Sequence, residues 1–171
     1  MSLAAEEWLS NEDNVCREDR LSRLKWTVQE YPDIEIAMFQ GGLKSHYLFE
    51  EARYCFVYGQ FFASTMLSLA YIENTLASYF FGAGRNDLTR AGAFDLLNEA
   101  KKERIINDSE FNLLDKVRKL RNPITHFQEP MNEERIEIRG LKDNKHPYEI
   151  IEDDAKIAIS AMFKLMARFS V

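Results

Sequence analysis

The chain has 171 residues, 46% of them hydrophobic, and a formal net charge of −6. This length suits one domain with a hydrophobic core and is short for two. The acidic balance argues against a protein coated in basic surface for binding duplex DNA. The most apolar stretch, residues 56–81, contains too many polar side chains for a membrane span.

Neither the cysteines nor the first residues indicate an exported or metal-binding protein. Cys16 and Cys55 are far apart and lack the spacing of a zinc site or a disulfide framework. The first residues have no basic segment followed by an apolar one, as a secretory signal would. The sequence also lacks a glycine-rich phosphate loop and a carboxylate cluster with metal spacing. We therefore expect a cytoplasmic protein without a metal or cofactor.

Hydrophobic periodicity predicts three helices in the first half of the chain. The first spans about residues 17–31 and ends at Pro32. The second opens near Ser45 and stops at Gly59, a residue type that commonly follows a helix. A longer third helix covers about residues 60–81, and its aromatic residues at helical spacing predict core packing rather than base stacking. These aromatic residues are Phe61, Phe62, Tyr79, Phe80 and Phe81.

The second half is predicted to contain three more helices and one non-helical segment. One helix covers about residues 91–105, and another opens at the capping residues 107–109 and ends near Arg121. The last helix covers about residues 152–169. Between them, residues 135–140 alternate polar and apolar side chains, which predicts a short strand in a hairpin or an irregular segment.

These elements predict an all-α, up-and-down helical bundle with short connections. We expect a single domain over residues 1–171, since no linker or internal repeat divides the sequence. Its predicted parts are an N-terminal arm (about 1–40), a bundle (about 45–127 and 150–169) and an insertion (about 128–148).

Positive charge is concentrated before the end of the helix that ends near Arg121. Residues 99–121 contain seven bases and five acids, a net charge of +2 in an acidic chain. Lys116, Arg118 and Lys119 are therefore candidates for contacting phosphates, which would be those of RNA if the resemblance described below holds. The alternative is an ordinary solvated helix face.

Two charged residues fall on the apolar faces of their predicted helices. At about 100° per residue, Arg121 falls within the apolar arc of its helix, and Glu73 falls within the apolar stripe of the third helix. A buried guanidinium needs a partner, so the sequence predicts that Glu73 pairs with Arg121. Arg53 is a competing partner for Glu73, and Arg121 stands at a helix end from which it can turn outward.

The sequence Asn122-Pro123 predicts an interruption directly after Arg121. Proline removes an amide donor and disfavours helical geometry in the residue before it, while asparagine followed by proline suits a new helix start. Such a break would let Arg121 and His126 approach each other, whereas an unbroken helix would make them diverge. Free amides at the new start, with His126 in the first turn, would favour a phosphate.

The run Leu-Arg-Asn-Pro-Ile-Thr-His-Phe at residues 120–127 resembles the Arg-Asn-x-x-x-His signature of HEPN domains. The order of predicted elements is similar as well. A helix with Glu-Ala-Arg and Gly59 is followed by a long helix carrying Glu73, then by the motif and a closing helix. The resemblance covers about residues 45–169, although the segment 128–148 has no clear counterpart in it.

The resemblance implies a helical bundle that dimerises across the motif. Many HEPN proteins are metal-independent endoribonucleases of toxin-antitoxin, phage-defence or RNA-processing systems, and others are not catalytic. By similarity, Arg121 and His126 would take the catalytic positions, with Asn122 as their polar support. Glu73 would be a supporting residue if it pairs with Arg121, because it would then fix the guanidinium in one rotamer. The expected partners are a second copy of the chain, RNA, and an antitoxin or other protein.

A second interpretation belongs to a different functional class. In it, the fold is a non-catalytic, dimeric interaction module, and the motif forms a structural Arg-Glu anchor. The acidic composition favours this alternative. The other histidines, His46 and His146, are predicted to be surface residues outside the site.

Overall fold

The computed structural model describes residues 2–171, which fold into an all-α bundle. No strand occurs within this described part of the chain. A short 3-10 turn, Asn86–Leu88, lies between the third and fourth α-helices. The α-helices are α1 (Ser2–Glu30), α2 (Gly42–Val57), α3 (Phe61–Gly82), α4 (Ala93–Lys102), α5 (Asp108–Leu120), α6 (Asn122–Thr125), α7 (Ile136–Asp143) and α8 (Pro147–Arg168). The prediction of an all-α helical bundle is confirmed.

The core lies where α3 and α8 pack against each other and against α2, α4 and α5. Full burial of a large apolar side chain contributes roughly 1.5–3 kcal/mol, so this cluster provides the main stabilisation. The prediction that the aromatic residues of α3 pack in the core is confirmed for Phe61 and Phe80, and Tyr79 is partly buried against the core. It is wrong for Phe62 and Phe81, which are exposed. None of the helices in residues 2–171 has the length and apolar character needed to cross a bilayer. The largest fully buried side chains include Phe49, Phe56, Tyr71, Leu76 and Phe163.

α1 begins far earlier than the predicted residue 17. The side chains of residues 4–15 are all exposed, including Trp8 at 66% and Val15 at 79%. This part of α1 packs against no core surface, and hydrophobic periodicity detects only helices that do. The predicted end is confirmed, since α1 stops at Glu30, before Pro32.

The turn between α2 and α3 requires glycine at position 59. Gly59 has a φ of 77°, in the region that favours glycine. A Cβ atom there would lie 2.8 Å from the Tyr148 hydroxyl oxygen and 3.1 Å from an Arg23 guanidinium nitrogen. The predicted stop at Gly59 is confirmed, as is the third helix within one residue at each end.

α5 begins with the cap that the sequence predicts. The Glu110 amide donates to the Asn107 side-chain oxygen at 2.9 Å, and the Asn107 amide donates to a Glu110 carboxylate oxygen at 2.7 Å. This reciprocal pair satisfies two amides that the helix itself cannot. The preceding helix, α4, is shorter than the predicted 91–105 and ends at Lys102, before Arg104 with its φ of 60°.

The predicted hairpin is wrong, because residues 136–143 form the helix α7. Arg139 on α7 binds both carboxylate oxygens of Asp154 on α8, at 2.6 and 2.7 Å. Gly140 lets α7 approach the next turn closely, since a Cβ there would lie 2.9 Å from the Lys145 carbonyl oxygen. The ion pair with Asp154 anchors α7 on α8, and an isolated two-stranded hairpin would lack such a contact.

α8 begins at Pro147, five residues before the predicted start. His146 precedes it and accepts a hydrogen bond from the Tyr148 amide through Nδ1 at 3.2 Å. The Glu149 carboxylate accepts from the His146 amide at 2.8 Å, which completes a capping box. His146 is therefore an exposed surface residue, as predicted, with a structural role at a helix start.

Candidate functional site

The motif residues lie where α5 passes into the single turn of α6. Arg121, between the two helices, keeps helical geometry with φ −64° and ψ −37°. The amides of Thr125 and His126 donate to the carbonyls of Arg121 and Asn122, both at 3.0 Å. His126 itself is extended, with φ −125° and ψ 141°.

The predicted break is therefore displaced. Helical geometry continues through Arg121 into α6, and His126 follows that turn instead of lying in the first turn of a new helix. Pro123 lacks an amide proton, which interrupts the hydrogen-bond ladder for one residue, and its fixed φ suits the first turn of α6. α6 ends at Thr125, because the backbone of His126 is extended.

Arg121 and His126 both point into solvent, whereas Asn122 is half-buried. Within residues 2–171, the Arg121 guanidinium and the His126 imidazole make no ion pair or hydrogen bond. A catalytic arginine and histidine must be free to meet a substrate. These two side chains meet that requirement.

The predicted pair of Glu73 and Arg121 does not form. Arg121 is exposed, and Glu73 is half-buried beside a different cavity that Lys44 and Arg90 also line. A guanidinium at a helix end avoids the cost of desolvation by turning outward. The competing pair is absent too, since Arg53 binds Glu50 at 3.0 Å.

An open cavity of about 240 Å³ lies beside His126. It is bounded on one side by the segment that follows α6 and on the other by the start of α7. Arg121 lies outside it. The lining residues are Pro123, His126, Phe127, Gln128, Arg135, Ile136 and Glu137.

Arg135 and Glu137 form an ion pair within this cavity. Arg135 Nε donates to Glu137 Oε2 at 3.2 Å, and Arg135 Nη2 donates to Oε1 at 3.1 Å. These hydrogen bonds, followed by one from the Glu137 backbone amide, hold the pKa of the Glu137 carboxyl below its usual range. Because the alternation that includes these residues predicts a strand, the sequence pattern does not reveal the charged pair beside His126.

The basic residues of α5 are mostly engaged by one carboxylate. Asp115 accepts from Arg118 at 2.7 Å and lies 2.7 Å from Lys119 Nζ. Burial alone would raise the pKa of Asp115, but the hydrogen bonds from Lys119 and Arg118 outweigh it and lower the pKa. Arg118 also stacks on the Phe94 ring, 5.1 Å from its centre. Lys116 is exposed and has no ion pair in the described chain, so it is the freest of the three cations.

Two large apolar side chains that follow the motif in the sequence are exposed. Phe127 is 87% exposed and Met131 is 81% exposed. Phe127 also lines the cavity beside His126. By contrast, His46 is half-buried and packs its ring edge-on against Phe39, 5.0 Å between ring centres.

Comparison of the chain with protein-family models, curated proteins and solved structures gives no match. Function is therefore inferred from the side chains around His126 and from the resemblance of residues 120–127. Among the described residues, no three His, Cys, Asp or Glu side chains cluster in an arrangement that could hold a metal ion.

Proposed function

We propose that this chain is a HEPN-type, RNA-directed protein that acts as a homodimer and cleaves RNA without a metal. The observation that carries the proposal is the exposure of Arg121 and His126, which one turn of backbone separates and which have no ion pair or side-chain hydrogen bond to the other described residues. The structural Arg-Glu anchor of the alternative interpretation would instead pair Arg121 with a carboxylate.

The chemistry follows from the two side chains. The His126 imidazole accepts the proton of a ribose 2′-hydroxyl, and the 2′-oxygen attacks the adjacent phosphorus. The bond from phosphorus to the 5′-oxygen breaks, leaving a 2′,3′-cyclic phosphate and a 5′-hydroxyl. Arg121 stabilises the negative charge that develops on the phosphorane. Asn122 is the neighbouring polar group that supports the pair.

A dimer would supply the second ionisable group. One imidazole takes the proton of the attacking hydroxyl, and the leaving 5′-oxygen needs a proton from another group. A twofold axis near the motif would place the equivalent histidine of a second protomer there. Phe127 and Met131 are the apolar side chains that such an interface would bury. A toxin, defence or RNA-processing role, with an antitoxin as a further partner, belongs to the same proposal.

The second candidate is a non-catalytic, dimeric interaction module. The exposure of Phe127 and Met131 favours it, because those side chains suit a protein partner as well as a second copy. Its structural Arg-Glu anchor does not form, however, since Arg121 has no carboxylate partner within residues 2–171. The two candidates then differ in whether the exposed His126 performs chemistry.

The test compares cleavage and stability in one variant. His126→Ala should abolish RNA cleavage, a loss of about 10²–10⁴-fold for one acid-base group. The free energy of unfolding should change by less than about 0.5 kcal/mol, because the side chain is exposed and makes no hydrogen bond. His146→Asn is the matched control, since asparagine also caps a helix and the substitution removes a histidine outside the motif. No cleavage by the wild type across varied RNAs would leave the interaction module.

A further inference from the structure

The cavity beside His126 holds an anion that belongs to the protein itself. Both oxygens of the Glu137 carboxylate accept from the Arg135 guanidinium, at 3.2 and 3.1 Å. This two-point geometry is the one by which arginine also binds phosphate. The Glu137 side chain is 61% exposed, so solvent and solutes reach the pair.

Arg135 is held in place independently of Glu137. Its Nη1 donates to the Gln128 carbonyl at 3.4 Å, and its backbone is extended where it precedes the first residue of α7. The guanidinium is more enclosed than its partner, with 29% of the side chain exposed. If the carboxylate rotated away, the guanidinium would still face the cavity that His126 lines.

We infer that this cavity is a phosphate site in which Arg135 is the binding cation and Glu137 occupies the place of the phosphate in the free protein. The inference rests on the proposed function, to which it adds a phosphate-binding residue outside the Arg-Asn-x-x-x-His motif. A phosphate of RNA displaces the Glu137 carboxylate, takes over the two hydrogen bonds from Arg135 and lies beside the His126 imidazole.

Glu137 therefore competes with phosphate for the Arg135 guanidinium. An exposed ion pair contributes little, so opening it weakens phosphate binding by no more than about fivefold. The two-point geometry of the Arg135 guanidinium favours ligands with two strong acceptors over weak anions.

The test titrates inorganic phosphate into the full chain and follows the side-chain resonances of His126 and the arginine Nε groups by NMR. Phosphate should shift the signals of His126 and Arg135 together. Arg135→Gln should weaken binding at least tenfold, because charge-assisted hydrogen bonds are lost. Glu137→Gln should tighten it by about two- to fivefold.

Two control variants have the same charge changes. Arg17→Gln removes an exposed arginine from α1, and Glu134→Gln removes an exposed carboxylate that has no ion pair in the described chain. Phosphate affinity should stay within about twofold of the wild type in both. The inference is overturned if Arg135→Gln binds phosphate as Arg17→Gln does, or if Glu137→Gln behaves as Glu134→Gln does. Thermal unfolding of each variant checks that the fold is intact.

RNA separates this inference from the proposed function. A 2′-O-methylated RNA cannot be cleaved through its 2′-oxygen, so its binding reports on the site alone. Tighter binding to Glu137→Gln and weaker binding to Arg135→Gln, without cleavage of ordinary RNA by the wild type, would support the phosphate site and refute the enzyme. Normal cleavage by Arg135→Gln would keep the enzyme and refute the phosphate site.

Discussion

The ion pair between Arg139 and Asp154 should decide whether α7 stays docked on α8. Asp154 is enclosed, with 10% of its side chain exposed, and Arg139 is 26% exposed. In Asp154→Asn the amide keeps the volume of the side chain but removes the charge and one of the two acceptor contacts. Breaking a fully buried pair costs about 3–5 kcal/mol. Because water reaches Arg139, we expect about 2–3 kcal/mol, or a fall in Tm of about 4–12 °C.

Asp153→Asn provides the matched control at the neighbouring position. Asp153 binds Lys145 at 2.6 Å, but both side chains are more than 40% exposed. That pair should contribute less than about 1 kcal/mol. Urea unfolding gives both free energies, and hydrogen exchange of the α7 amides should accelerate only in Asp154→Asn. Equal losses in the two variants would refute the reasoning that burial gives the α7 pair its strength.

Three other predictions concern stability. Because Arg121 and Glu73 are not paired, Arg121→Ala and Glu73→Ala should each change the free energy of unfolding by less than about 1 kcal/mol. The effects should add in the double variant. A larger loss in urea unfolding, with strong coupling between the two substitutions, would show that the residues are paired after all. The pKa of Asp115 is lowered in the folded protein, so its carboxylate stabilises the fold at pH values above its ordinary pKa of 3.8. This stabilisation is lost as the pH falls through the lower pKa of the folded state. Asp115→Asn should therefore flatten the stability-pH curve below about pH 4, and an unchanged acid limb in urea unfolding would contradict this. Gly59→Ala should lower the free energy of unfolding by about 1–3 kcal/mol, because of the positive φ and the close contact with the Tyr148 hydroxyl. Adding Tyr148→Phe should recover part of this loss in thermal unfolding. An alanine variant as stable as the wild type would show that the turn relaxes.

The sequence was sufficient where local signals and packing agree. α3 has an apolar stripe that meets the core, and α5 has a side-chain cap at Asn107 that needs no tertiary contact. The sequence predicts the start and the end of each of these two helices to within one or two residues. The exposed start of α1 has neither signal, so its helix was missed.

The errors around the motif have two physical causes. The helical wheel predicts that Arg121 faces the core. It gives the direction of the Cα–Cβ bond only, and a long side chain at a helix end can turn outward into solvent. The polar and apolar alternation at residues 135–140 fits a strand and a short helix equally well. In the helix Arg139 binds Asp154, fifteen residues away, and no local pattern contains that contact. For the same reason the sequence did not place Arg135 beside His126.

The ends of RNA fragments produced in EDTA test the central claim most directly. If the exposed His126 is the acid-base group, the wild type should yield 2′,3′-cyclic phosphate and 5′-hydroxyl ends, and a folded His126→Ala variant should yield none. His146→Asn should cleave as the wild type does. Fragments with 3′-hydroxyl and 5′-phosphate ends, or cyclic-phosphate ends that persist in His126→Ala, would contradict the account.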